Sequence, residues 1–264
     1  MLANIRRDKI CSILKKQQAV TTAELAKRFG VSIETIRKDL LELERQNELV
    51  RVHGGACRKP ESRIYRDFSA RLEENLSQKA EISKTAADLI ENGDIIAMDT
   101  GSTAIEFINV LMDRFDTLTI VTHSLDVFKK ACNYKNFEII LCGGFYMREE
   151  NSFYGSFTLN MFDSIRVKKV FIFPNSVSLN HGISDSVPNL AEIQKKLMSI
   201  GDKVVVVADS SKYETNSFIK IDDMNPKYTY ISDSRLPDEL EEIYENNGIT
   251  ILTGKEKGNA KDNK

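Results

Sequence analysis

The chain has little that would tie it to a membrane or to an oxidising compartment. Its longest strictly apolar run is five residues, 204–208, whereas a membrane-spanning helix needs about 20. The opening MLANIRRDKI holds no apolar core of a secretory signal, so a cytoplasmic location is expected. Cysteine is scarce. Cys11, Cys57, Cys132 and Cys142 form no C-x-x-C pair and share no zinc-type spacing with histidine. They read as reduced thiols, and no metal is expected. The Walker A loop and the dinucleotide fingerprint G-x-G-x-x-G are both absent, so nucleotide and dinucleotide sites are poorly supported and no cofactor is expected. No internal repeat or low-complexity stretch is visible. What is there is a chain of 264 residues, 41% hydrophobic and 29% charged. That composition is ordinary for a soluble globular protein of one large domain or two smaller ones.

The net charge of −2 hides an asymmetry. Residues 1–59 carry 13 basic and 7 acidic side chains, a balance of +6, which leaves 24 basic and 32 acidic residues, or −8, for the remainder. A small basic head on a larger acidic body suggests a polyanion partner for the head alone. Clustering on solvated helix faces would give the same count, so the motifs must decide.

In the head, Ile5, Ile10, Ile13 and Leu14 fall close to helical spacing over 4–17. Thr22 can cap a second helix over 23–29, and Gly30 can end it in the left-handed conformation. Ser32 can then cap a third helix running to about Gln46. Its apolar positions are Ile33, Ile36, Leu40, Leu41 and Leu43, which leaves Glu34, Thr35, Arg37 and Lys38 on or near the other face. Two helices joined by a short Gly-x-Ser turn read as helix-turn-helix, with the first turns of the third helix entering the major groove. Next, Leu49-Val50-Arg51-Val52-His53-Gly54-Gly55-Ala56-Cys57-Arg58-Lys59 alternates around a Gly-Gly turn, a hairpin signal. A basic hairpin in that place reads as a wing whose Arg51, Arg58 and Lys59 can meet phosphates or the minor groove. Each element alone is weak; their order and charge together point to duplex DNA. The candidate DNA contacts are Ser32, Glu34, Thr35, Arg37, Lys38, Arg51, His53 and Arg58. For Glu34, Lys38 and His53, a solvated position without contact stays open.

This stretch resembles the N-terminal signature of DeoR-type sugar-responsive bacterial repressors, from Thr22-Ala23-Glu24-Leu25-Ala26 through Thr35-Ile36-Arg37-Lys38-Asp39-Leu40 to His53-Gly54-Gly55-Ala56. The family usually has Arg-Arg where this chain has Arg37-Lys38. Lysine lacks the bidentate fork of arginine, which makes Lys38 a phosphate contact rather than a base reader.

The body alternates. Residues 60–76 read as a linker that becomes helical, and a helix follows over 77–91. Strand-like runs lie at 94–99, 118–122, 137–142, 168–173, 203–208, 228–232 and 249–252, with helix-like runs at 103–113, 124–132, 155–165, 188–199 and 237–246 between most of them. Four consecutive valines at 204–207 suit a strand buried on both faces. The expectation is an α/β fold: a winged helix-turn-helix over 1–59, then a mostly parallel α/β domain over 77–254, then a polar tail, 255–264, that frays.

Ligands of such sheets bind beyond the carboxyl ends of the strands. There the sequence places Asp99, Gly101, Ser102 and Thr103 after one run, Thr122, His123 and Ser124 after the next, Gly143 and Gly144 after the third, and Lys212 after 203–208. Helix-start amides, hydroxyls and a lysine suit an anion, most simply a phosphate. Gly, Ser and Thr are also ordinary capping residues, but four such turns with one lysine favour a site. Asp99-x-Gly101-Ser102-Thr103, Thr122-x-Ser124, Gly143-Gly144, Gly155, Glu192 and Asp209-x-Ser211-Lys212 resemble the effector domain of the same family, which is similar in fold to ribose-5-phosphate isomerase. The resemblance implies a phosphorylated sugar as effector and repression as the usual mode, with activation open. The family usually has asparagine where this chain has His123, and small, glycine-containing sequence where it has Phe173-Pro174-Asn175-Ser176.

Three readings follow: a ligand-controlled regulator, an isomerase-like enzyme with a DNA-binding head, and a module whose body only oligomerises. The first is preferred because the resemblance implies binding without turnover. A homodimer or homotetramer is expected, since major-groove heads usually act in pairs.

Overall fold

The computed structural model describes residues 2–17, 19–46, 48–58, 61–62 and 68–255. The expected Lys59 contact, much of the first half of the linker and the tail beyond Lys255 lie outside them.

The head is built on three helices, α1 (Ala3–Lys16), α2 (Thr22–Phe29) and α3 (Ile33–Arg45), with strand β1 (Ala19–Thr21) between the first two. Ile10, Leu14, Leu25, Ile36, Leu40 and Leu43 close its core. Gly30 ends α2 at φ 64°, and the Ser32 hydroxyl accepts from Thr35 N to start α3, a cap worth about 1 kcal/mol. The cap of α2 is Thr21, not Thr22. Thr21 is still extended as the last residue of β1 and accepts from Glu24 N, while Thr22 is already helical and donates its hydroxyl to Gly54 O at 3.0 Å. Ile33, expected among the apolar positions of α3, is 45% exposed. The wing is β2 (Leu49–Val52) and β3 (Gly55–Arg58), and β1 adds a third strand in the order β1-β3-β2. At three residues, β1 is too short to show a period. Gly55 is required at its place because a Cβ there would sit 2.1 Å from Val20 O of β1.

From the wing the chain passes through β4 (Glu61–Ser62), α4 (Phe68–Glu73) and α5 (Leu76–Ala87). The body then alternates through β5 (Ile95–Met98), α6 (Ser102–Arg114), β6 (Leu118–Thr122), α7 (Leu125–Ala131) and β7 (Phe137–Leu141). A hairpin, β8 (Phe145–Met147) and β9 (Ser152–Tyr154), precedes α8 (Ser156–Asp163) and β10 (Val167–Ile172). Two short strands follow, β11 (Ser176–Ser178) and β12 (Gly182–Asp185), then α9 (Pro188–Ile200) and β13 (Gly201–Val207). The chain ends through β14 (Thr215–Asn216), β15 (Ile219–Asp222), β16 (Thr229–Ser232), α10 (Asp238–Asn246) and β17 (Ile251–Thr253).

Seven of these strands form a parallel sheet in the order β17-β16-β13-β10-β5-β6-β7. Its two faces are two cores. Val205 and Val207 pack with Ile96, Met98, Phe107 and Phe171 under α5 and α6, while Val204 and Val206 pack with Val170, Ile172, Ile193 and Leu197 under α9. That alternation is why four valines in a row are needed. β11, β12 and β15 form a separate antiparallel sheet. Strand order reverses between β5 and β10, so this edge-to-edge neighbourhood is the switch point at which open α/β sheets hold ligands.

The head does not stand apart. Ala19 of β1 and Cys57 of β3 are fully buried and belong to the core of the body. β1 packs on α10, and Asn247 Nδ2 lies 3.5 Å from His53 O.

Candidate functional site

The candidate DNA-reading surface is one face of α3. Glu34, Arg37 and Lys38 are exposed, as is Ser32. Thr35 is half-buried and its hydroxyl meets that of Ser32 at 2.9 Å. Arg37 Nη1 pairs with Glu34 Oε2 at 3.5 Å, with both side chains more than 60% exposed; such a pair is worth under about 1 kcal/mol, so Arg37 is easily redirected. Ile33, which the pattern had assigned to the core, presents an alkyl group on the same turn. The wing hairpin forms and lies against the body. Arg51 pairs with Glu44 at 3.7 Å, and Arg51 and His53 line a cleft of about 650 Å³ between wing and body. The cause is packing: the buried Ala19 and Cys57 draw the wing against α10, and its Gly54 turn comes within reach of Asn246. Arg58 ends β3, and its side chain lies outside the described residues.

The candidate ligand site is a cavity of about 260 Å³ beyond the carboxyl ends of β5, β10 and β13. From β5 comes Ser102, the first residue of α6, and from the segment after β13 come Asp209, Ser211 and Lys212. Gly101 precedes α6 at φ 129°, a conformation that favours glycine. The first-turn amides of a 13-residue helix are natural anion donors. The Thr103 hydroxyl beside them is buried without a hydrogen-bond partner among the described residues.

Of the ten residues expected here, Ser102 and Lys212 line the cavity. Asp99, Thr122, His123 and Ser124 are buried and do not line it. Asp99 accepts from Thr100 N at 2.7 Å, from Gln194 Nε2 at 2.8 Å and from Phe173 N at 3.3 Å. His123 lies with Nε2 3.0 Å from Asp99 Oδ1 and Nδ1 2.8 Å from Phe153 O. It therefore ties the strand ends to the β8–β9 hairpin. Thr122 Oγ1 accepts from Ser124 N, and the Ser124 hydroxyl caps α7. Gly143 and Gly144 lie under α8: Gly143 O accepts from Thr158, and a Cβ on Gly144 would collide with Tyr154 O at 2.6 Å. Neither is among the residues lining the cavity.

Several lining residues were invisible to motif reading. Arg71, Glu74, Asn75 and Lys79 come from the segment around α4 and the start of α5. Arg71 is held by a salt bridge to the buried Glu150, and Lys79 Nζ donates to the carbonyls of Arg71 and Glu74. Burial lowers the Lys79 ammonium from its usual range. Three cations thus flank the cavity against two carboxylates, Glu74 and Asp209. Asn175, from the stretch where the chain departs from the family pattern, also lines it and donates to Asp185 Oδ1 at 2.9 Å. Burial, with the nearby Asp99 charge, pushes the Asp185 carboxyl up to about 6 despite a hydrogen bond from Val187 N. The signal for Asn175 was its place after a strand. For Arg71 there was only charge in a segment read as linker, and for Lys79 only charge near the start of the helix expected over 77–91.

No helix among the described residues is long and apolar enough to cross a membrane, and among them no group of side chains could hold a metal. Comparison with known proteins agrees with the two-part architecture. Residues 6–61 match the DeoR-like helix-turn-helix domain, and residues 74–234 match the DeoR C terminal sensor domain. An uncharacterized HTH-type transcriptional regulator, YulB of Bacillus subtilis, is 32% identical over 238 residues, covering 89% of this chain and 91% of its own. The L-fucose operon activator of Haemophilus influenzae is 29% identical, over 94% of this chain and 100% of its own. The transcriptional repressor GlcR of Bacillus subtilis is 29% identical, over 92% and 93%. A solved ribose 5-phosphate isomerase from Methanocaldococcus jannaschii aligns loosely, at TM-score 0.41 and 21% identity over 53% of this chain and 55% of its own. The full-length relatives are transcription regulators rather than enzymes, both family domains are present in order, and the chain belongs to the DeoR family of transcriptional regulators.

Proposed function

We propose that this regulator represses a sugar-metabolism operon and that a phosphorylated sugar, bound in the cavity at the switch point, releases it from DNA. The observation that carries this reading is the cavity itself: the α6 N-terminus, Arg71, Lys79 and Lys212 surround a space open to a small anion. A relative named for an L-fucose operon supports the sugar operon; the relatives include both an activator and a repressor, and repression is proposed as the family's usual mode. On DNA, α3 enters the major groove. Arg37 reads a base, Lys38 meets phosphate, and Ile33 is placed for the methyl group of a thymine. Ser32, Glu34 and Thr35 lie on the same turns. Arg51 and His53 lie exposed at the cleft between wing and body, and the base and phosphate contacts are assigned to α3. Two copies, as dimer or tetramer, are needed to read paired half-sites about 34 Å apart.

The test is a gel shift with the DNA flanking the protein's own gene, against unrelated DNA, with phosphorylated sugars and their unphosphorylated parents. Specific binding released by one phosphosugar but not by its parent is the expected result. Specific binding that no compound alters refutes the effector reading.

A further inference from the structure

The segment after β13 does two things within six residues. At one end, Asp209, Ser211 and Lys212 line the cavity. At the other, Glu214 turns away into the head–body boundary. Glu214 is buried and sits at φ 51°, a left-handed conformation that a non-glycine side chain rarely adopts. It is held there by donors from two directions. Tyr244 of α10 donates its hydroxyl to Glu214 Oε1 at 2.6 Å, and Leu179 N donates at 3.1 Å. The buried thiol of Cys57, in the wing strand β3, neighbours the same carboxyl, and burial together with that charge pushes the thiol up. Burial raises the carboxyl above its usual range, with these bonds opposing. A buried carboxyl so placed is costly unless all its partners stay in position.

The same segment is also stitched to the connection between head and body. Thr215 donates to Lys212 O at 2.8 Å, and β14 pairs in parallel with β4, Thr215 opposite Glu61 and Asn216 opposite Ser62. On the cavity side, Asn75 donates to Asp209 Oδ1 and to Ser211 Oγ, both at 3.3 Å.

We infer that Glu214 is the positioning residue through which the cavity controls the head. An anion drawn to Lys212 moves the segment, and Glu214 transfers that movement to Cys57 in the wing and Tyr244 beneath it. Loss of these contacts frees the wing from the body and changes how α3 is presented. The inference rests on the effector reading proposed above.

The experiment measures operator affinity by fluorescence anisotropy with and without a saturating phosphosugar from a panel of pentose and hexose phosphates. It uses the full-length wild type, Glu214→Gln and Tyr244→Phe. Phosphosugar affinity is read separately by calorimetry. The ratio of operator affinities without and with ligand should fall about fivefold or more in each variant, while phosphosugar affinity stays within about twofold. A purely structural role would lower thermal stability without moving that ratio. Hydrogen exchange on the wild type supplies a measurement that depends on no variant: ligand should raise exchange across 55–58. If the wild type responds and either the exchange or the variant ratios do not change, Glu214 is not the coupler. A wild type that no phosphosugar releases overturns the effector reading, and the coupling falls with it.

Discussion

At the scale of the residue, burial and charge pairing decide which side chains carry weight. Lys212 is 8% exposed yet opens on the cavity. Replacing it with alanine should cost about 1.5–3 kcal/mol of phosphosugar binding, the size of a hydrogen bond to a charged group. Operator binding should be retained and the sugar response lost; anisotropy and calorimetry on Lys212→Ala check both. Asp94 shows the same logic in a structural role. Burial alone would raise its carboxyl. Hydrogen bonds from Lys169 Nζ at 2.6 Å, Glu91 N at 3.0 Å and Lys168 Nζ at 3.0 Å outweigh that and lower it from 3.8 to about 2. A carboxyl held low in the folded state stabilises above its unfolded value and ceases to do so as pH falls from about 4 to about 2. Asp94→Asn should therefore lose roughly 1–2 kcal/mol at pH 7, after allowance for solvent screening. The gap to wild type should close near pH 2 in urea titrations across that range.

At the scale of the element, α3 and the wing make different demands. The exposed face of α3 carries Arg37 in a weak surface pair. Arg37→Ala should weaken operator binding by about 1–3 kcal/mol and leave random-sequence DNA less affected. Equal loss on both would make Arg37 a phosphate contact. In the wing, Gly55→Ala places a methyl against the backbone of β1. A loss of about 1–3 kcal/mol is expected, as for an overpacked core, read from urea unfolding. The sequence made the α2–α3 pair readable because Gly30 and Ser32 are strong local signals. It made the parallel strands readable because runs such as 203–208 are long and apolar. Of the antiparallel pieces the wing hairpin was readable from its Gly-Gly turn, but β1, β8, β9 and β11 were not: they have three residues each, too few for a period to show. Arg71 and Lys79 reach the cavity through tertiary contacts with Glu150 and with the carbonyls of the α4 turn. Such contacts leave no spacing in the chain. Lys212 and Ser102 were readable because they follow strands, and the switch point gives those places meaning before any contact is known.

At the scale of the whole molecule, a basic head of +6 is joined to a body of −8. Opposite signs confine DNA to the head and repel it from the body, so operator affinity should fall steeply with salt. A single head reads too little sequence to find one operator. The active species should sediment as an even-numbered assembly, dimer or tetramer, at concentrations that shift operator DNA. Sedimentation velocity showing only monomer there would remove the paired-head arrangement.

The burial of Ala19 and Cys57 in the body core bears on how such regulators can be recombined. A biosensor made by grafting this body onto a foreign head would inherit a hole where those two side chains belong. It would also inherit a buried Glu214 that has lost its Cys57 neighbour. The portable unit of this protein is therefore the body together with β1 and β3, and a chimaeric junction belongs within the helices of the head rather than in the connecting segment.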